Sequence, residues 1–258
     1  VTQPSVEAAF NDARTRAAFK FSHPTGNIIT ADTVAALADG LAAVAADPHL
    51  KLITLEGAGQ DFSFGASIPE HAPDRIGNVL PAMHRLIDGW LSAPAVTAAV
   101  VRGRCLGGGF ELALACDLIF AADDAVFGLP EIALGVFPPA GAALLSLRVG
   151  GATAARTILT GESRSAAEWQ RAGLIELVAP AATLDAEVDR WFSTHLDGRS
   201  AVALRYAVAA ARWSTVTHVR RVLPELERLY LGDLMRTRDA AEGVAAFLEK
   251  RQPRWRDE

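Results

Sequence analysis

An α/β core followed by a region made only of helices is the fold class this sequence predicts. Strand-like and helix-like stretches alternate through most of the chain, the pattern of a layered α/β domain. The final stretch offers helical segments alone. Of the 258 residues, 50% are hydrophobic and 21% charged, enough apolar material for a large core. The expected division is 1–195 for the core and 196–258 for the helical region.

The elements follow in order. Residues 30–46 carry Val34, Leu37, Leu41 and Val44 at helical spacing, with Asp32 available as a cap. KLITLEG (51–57) is a short β-branched run closed by Gly57. A loop rich in small residues and proline, AGQDFSFGASIPEHAPDR, comes next. A helix is expected over Val79–Leu91, then a strand at AVTAAVVRG, then a glycine turn opening a helix. DLIFAAD and AVFGLP read as strands. SAVALRYAVAAARW, THVRRVLPELERLYLGDLMRT and RDAAEGVAAFLEKR read as separate helices.

The net charge is −5 and the pI near 5.7, so no broad basic face invites a nucleic acid. Cys105 and Cys116 have neither metal-type spacing nor the number of a disulfide framework. The most apolar tract, Cys105–Phe120, is interrupted by Glu111 and Asp117 and is too short for a bilayer span. VTQPSVEAAFNDARTR mixes acidic and basic residues and does not resemble a signal peptide. A cytoplasmic protein with no membrane partner is expected. The histidines are scattered, no metal-ligand cluster stands out, and His71 and His84 read as packing or surface residues.

GRCLGGGFELALACDL (103–118) is the most informative stretch. It lacks the third glycine of a dinucleotide fingerprint and the Lys-Ser/Thr of a P-loop, and GASIP is not a nucleophile elbow. What remains is a strand-to-helix turn with bare backbone. The first amides of a helix lack intrahelical acceptors, and the helix dipole favours negative charge beside them. Such donors, fixed where charge develops, form an oxyanion hole. FSFGASI (62–68) is a second small-residue turn after a strand and could present another amide. Glu111 lies one turn past Gly108, where the dipole is expected to keep it ionised. Glu131 follows Pro130 in GLPEIALG, which favours a turn or a new helix there. Two carboxyl groups beside an anion site could serve as general base and general acid.

Taken together, FSFGASI, RGRCLGGGFELALACDLIFAADDAVFGLPEIALGVFP, LTGESRSAAEWQRAGLIELV and TRDAAEGVAAFLEKRQPRW resemble the crotonase (enoyl-CoA hydratase/isomerase) superfamily from about Phe19 onward. The resemblance implies a crotonase-like α/β spiral of ββα units with a helical C-terminal trimerisation region, assembled as a homotrimer or a hexamer of two trimers. It implies an acyl-CoA substrate, no further cofactor and no metal, since coenzyme A belongs to the substrate. The amides of Ala66 and Gly108 would form the oxyanion hole. Glu111 and Glu131, 20 residues apart, match the glutamate pair of the hydratases.

FSFGASIPEHAPDR, FGLPEIALGVFPPAGAALL and AFLEKRQPRW are similar to the branch hydrating cyclohexa-1,5-diene-1-carbonyl-CoA, in anaerobic benzoyl-CoA breakdown. That implies 6-hydroxycyclohex-1-ene-1-carbonyl-CoA as product. Ser67 stands where many family members have Asp, beside Ile68, and VFPPAGA departs from the more usual PGAGG. Phe64 and Phe137 are candidate flat walls for a ring, and Lys250 is a candidate for the CoA phosphates. The CoA itself is expected along SHPTGNII and FGASI. A general short-chain enoyl-CoA hydratase/isomerase is the alternative within the family. A ring-opening β-oxoacyl-CoA hydrolase is less favoured because that branch is usually longer. A scaffold that binds acyl-CoA without turnover is the non-enzymatic alternative.

Overall fold

The computed structural model describes residues 5–72 and 74–258; the start of the N-terminal stretch and Pro73 of the proline-rich loop lie outside the described residues. Strands β1 (Ser5–Phe10) and β2 (Arg16–Ser22), not among the elements expected above, form an antiparallel hairpin. The Asn11 side-chain oxygen holds its turn by accepting from the Thr15 and Arg16 amides, both at 2.9 Å. Helix α1 (Ala31–Ala45) buries Val34, Leu37, Leu41 and Val44, as the spacing predicts. Its cap is Thr30 rather than Asp32. The Thr30 hydroxyl accepts from the Thr33 amide at 3.2 Å, and Asp32 lies in the first turn facing the dipole.

Strand β3 (Leu52–Gly57) follows, then helix α2 (Ile76–Leu91), which begins before the expected Val79 and contains Pro81. After β4 (Val96–Val101), a short strand β5 (Arg104–Leu106) intervenes before helix α3 (Gly108–Leu114). Next come β6 (Leu118–Ala122), β7 (Val126–Gly128) and a 3₁₀ turn, Pro130–Leu134. Helices α4 (Pro139–Val149) and α5 (Gly151–Thr160), strand β8 (Arg164–Ser165), helix α6 (Ala166–Arg171), strand β9 (Leu177–Ala179) and helix α7 (Leu184–Phe192) complete the core. The large sheet runs β1-β2-β3-β4-β6-β9, parallel from β2 onward, and β5-β7-β8 form a small second sheet. Parallel strands covered on both faces read as continuous apolar runs, and β3, β4 and β6 do so.

Two of the expected C-terminal helices are one. Helix α8 (Ala201–Arg228) runs unbroken for 28 residues through Trp213–Thr217 and across Pro224. The Ser, Thr and Val cluster there lowers helix propensity but breaks nothing, and tertiary packing prevails. A π-helical turn, Leu229–Asp233, extends α8, and helix α9 (Arg238–Leu248) follows. The boundary drawn at 195/196 falls within another π-helical turn, Ser193–Asp197. Helix α8 packs on α2 and α4, and α9 packs on the 3₁₀ turns Ile68–His71 and Pro130–Leu134, so the helical region folds onto its own core.

Arg212 pins α8 to the sheet edge. Its guanidinium donates to Asp117 Oδ1 at 2.6 Å and Oδ2 at 2.5 Å, and to the carbonyls of Ala93 at 2.6 Å and Ala95 at 2.8 Å. Asp117 in turn accepts from the Thr97 amide at 2.8 Å. Among the described residues, no helix is long and apolar enough to cross a membrane.

Candidate active site

The two glycine-rich turns meet. Ala66 bridges Ile29 in a parallel ladder in which Ile29 donates to the Gly65 carbonyl and Ser67 donates to the Ile29 carbonyl. Those bonds leave the Ala66 amide pointing away from Ile29. It has no acceptor among the described residues, and the same holds for the Gly108 amide that opens α3. The two backbones lie so close that a Cβ on Gly108 would stand 3.4 Å from the Ala66 nitrogen. Gly107, at φ +49°, turns the chain from β5 into α3 in the left-handed region that favours glycine. Two free amides side by side at a helix start are the donors an oxyanion requires.

Glu111 projects from the first turn of α3 and is buried. Its Oε1 accepts from the Gly141 amide at 2.8 Å, and the Ala140 amide adds a second donor. Pro138 and Pro139 carry no N–H, so Ala140 and Gly141 are the leading donors of α4. Both helix starts thus face this carboxyl. Burial opposes the amides and the dipole and raises its pKa to about 7, so this carboxyl ionises only near neutrality.

Glu131 sits in the first turn of the 3₁₀ segment. Its Oε1 lies against Gly107, where a Cβ would come within 2.9 Å. Its Oε2 is sealed from solvent and has no hydrogen-bond partner among the described residues. Burial first, and then the nearby charge of Glu111, push Glu131 up to about 8. The two titrate as a unit, and near neutrality the pair holds one proton between two carboxyls. One member can then act as base while the other acts as acid.

The other expected residues are placed as follows. Phe137 packs edge-on against Tyr230, ring centroids 5.4 Å apart, just beyond the Glu131 turn. Phe64 is partly exposed; its ring is taken up by Gly26 and by the Arg104 guanidinium, 5.0 Å from the ring centre. Phe64 therefore lies against the SHPTGNII loop. Ser67 is buried, with its carbonyl against His71 Nδ1 at 3.0 Å, and Ile68 opens the 3₁₀ turn after it. Lys250 is exposed and left-handed just past α9, with no side-chain partner among the described residues. His84 is buried against Glu227, its Nδ1 2.6 Å from the carboxylate, a packing role.

Sequence reasoning missed the Ala140 and Gly141 amides and Tyr230. The first had a visible signal: two prolines in tandem leave the next two amides as a helix's first free donors. Tyr230 had none, because nothing in LYLGDL announces a π-helical turn.

Comparison with known proteins fits this geometry. Residues 14–258 match the Enoyl-CoA hydratase/isomerase family. Cyclohexa-1,5-dienecarbonyl-CoA hydratase of Thauera aromatica is 43% identical over 92% of this chain and 91% of its own. 2,3-dehydroadipyl-CoA hydratase of Escherichia coli is 35% identical over 84% of this chain and 85% of its own. The crystal structure of an enoyl-CoA hydratase from Mycobacterium avium subsp. paratuberculosis superposes with a TM-score of 0.86 at 31% identity, covering 98% of each chain. The spiral α/β core and its helical tail are those of this family: the chain belongs to the enoyl-CoA hydratase/isomerase family.

Proposed function

We propose that the protein is an acyl-CoA hydratase that adds water to cyclohexa-1,5-diene-1-carbonyl-CoA, giving 6-hydroxycyclohex-1-ene-1-carbonyl-CoA. The observation that carries water addition is the buried Glu111–Glu131 pair, both carboxyls pushed above their ordinary range by burial, beside two free amides. The cyclic diene is supported by the 43% identity to the Thauera aromatica enzyme.

In this reading the thioester oxygen sits between the Ala66 and Gly108 amides. Glu111, the more acidic of the pair, takes a proton from water as its oxygen attacks the carbon β to the thioester. The electron pair moves through the α-carbon onto the thioester oxygen and, through the second double bond, to the far end of the diene. Glu131, the weaker acid, delivers its proton to that far carbon. The enolate collapses and one ring double bond remains conjugated. Each oxyanion donor contributes about 2.7–4 kcal/mol to such a transition state. The carboxyls supply the proton transfers, and no step asks for a metal or a redox group. Phe137 lies on the carboxylate side and would face the ring, while Phe64 and the SHPTGNII loop would flank the pantetheine arm. Lys250 would meet the CoA phosphates.

We further propose a homotrimer or a dimer of trimers in the cytoplasm. Tyr206 and Trp213, each 74% exposed on α8, give such an assembly apolar surface to cover. Light scattering reads the mass.

The test is incubation with cyclohexa-1,5-diene-1-carbonyl-CoA and with crotonyl-CoA, followed by mass and ultraviolet absorbance. A gain of one water on the diene supports the narrow reading. Turnover of crotonyl-CoA alone leaves a general hydratase, the reading favoured by the resemblance to the Escherichia coli relative. Binding of both without turnover leaves a scaffold.

A further inference from the structure

The chain has two tyrosines, and they differ sharply: Tyr206 is 74% exposed and Tyr230 is 2% exposed. Tyr230 sits in the π-helical turn Leu229–Asp233, a widened turn of the kind that recurs at functional sites. Its ring rests on Phe137 and shares a small core with Val136 and Ala240. That contact matters because of what residues 131–141 do. Glu131 opens the segment, the Val136 amide donates to the Glu131 carbonyl at 3.3 Å, and the Gly141 amide holds Glu111. Tyr230 thus leans on the strip of backbone that carries one glutamate and orients the other.

One unsatisfied group lies in this region: Glu131 Oε2 is buried without a partner among the described residues. The carboxylates that act on the phenol are Glu111 and Glu131. Burial holds the phenol far above its usual range, so it stays a donor at any working pH.

We infer that Tyr230, lodged against Phe137 on the 131–141 strip, is a positioning residue whose hydroxyl donates a hydrogen bond to the Glu131 carboxylate as that carboxylate forms. The inference rests on the hydratase reading, in which Glu131 gives its proton to carbon. Charge then appears on a buried oxygen that no other group receives. A hydrogen bond to an ion in a buried site counts for far more than one to its neutral acid.

The test is Tyr230→Phe, which keeps the ring and its packing. With a substrate that turns over, kcat falls about ten-fold while KM stays within about two-fold, as loss of one charge-assisted hydrogen bond predicts. The alkaline limb of the rate profile moves up by about half a unit or more, because the lost donor had favoured the charged carboxylate. Infrared pH titration of the Glu131 carboxyl, assigned by difference against Glu131→Gln, reads the same shift without any substrate. A rise in its midpoint in Tyr230→Phe supports the assignment. An unchanged midpoint, or a lowered melting temperature with unchanged midpoint and kcat, overturns it and leaves Tyr230 as packing. If the unaltered protein turns over neither thioester, the hydratase reading fails, and the infrared midpoint still decides what Tyr230 does.

Discussion

The Arg212–Asp117 cluster and the Glu111–Glu131 pair both bury charge, and they treat it in opposite ways. Around Arg212 every charge has an opposite charge or a carbonyl in reach, and the guanidinium is fully engaged. Around the glutamates, two like charges face each other and one oxygen is left without a partner. The first arrangement ties a helix to a sheet. The second stores a tendency to move a proton. Satisfied burial makes structure, and unsatisfied burial of like charges makes an acid and a base.

The comparison breaks most clearly on Glu131→Gln. Initial rates of hydration should fall about 10³-fold with the fold intact, the scale of a lost general acid; a rate within ten-fold would remove Glu131 from the chemistry. Arg212→Met should do the reverse. It leaves Asp117 facing an apolar chain and should cost about 3 kcal/mol of stability in urea denaturation, while kcat of the folded protein holds. A loss of activity without loss of stability would contradict the division.

Gly107→Ala sharpens the contrast within the site. A Cβ there meets Glu131 Oε1 at 2.9 Å and sits at a positive φ, so the carboxyl must move. A misplacement of that size should lower kcat by about 10²-fold, checked by steady-state kinetics beside a melting curve that drops modestly.

The smallest effect is on stability against pH. Glu111 and Glu131 ionise from an ordinary 4.5 when unfolded and at about 7 and about 8 when folded. Ionising them therefore costs more in the folded state. The penalty is absent below pH 4.5, grows as pH rises toward 8, and is constant above. Glu131→Gln should be more stable than the unaltered chain at pH 8.5, with the difference vanishing near pH 4. Equal stability at both pH values would mean the site does not strain the fold.

Much of this was legible before any coordinates. The apolar runs of β3, β4 and β6 and the spacing in α1 follow from local chemistry, as does the glycine turn. Strand β1 was not, because an edge strand with mostly exposed residues carries little alternation. The raised pKa of Glu111 is not legible in the sequence, for a reason of scale. The dipole is local and readable from helix position, whereas burial depends on what α4 brings from further along the chain. Tyr230 was invisible for the same cause: its neighbour Phe137 lies 93 residues away.

Helix α9 packs directly on the turn that carries Glu131. With α9 removed, water would reach the turn and the carboxyl would titrate as an ordinary surface acid. The acidity of Glu131 is thus set in part by a helix about a hundred residues further along the chain, one that bears none of the proposed chemistry.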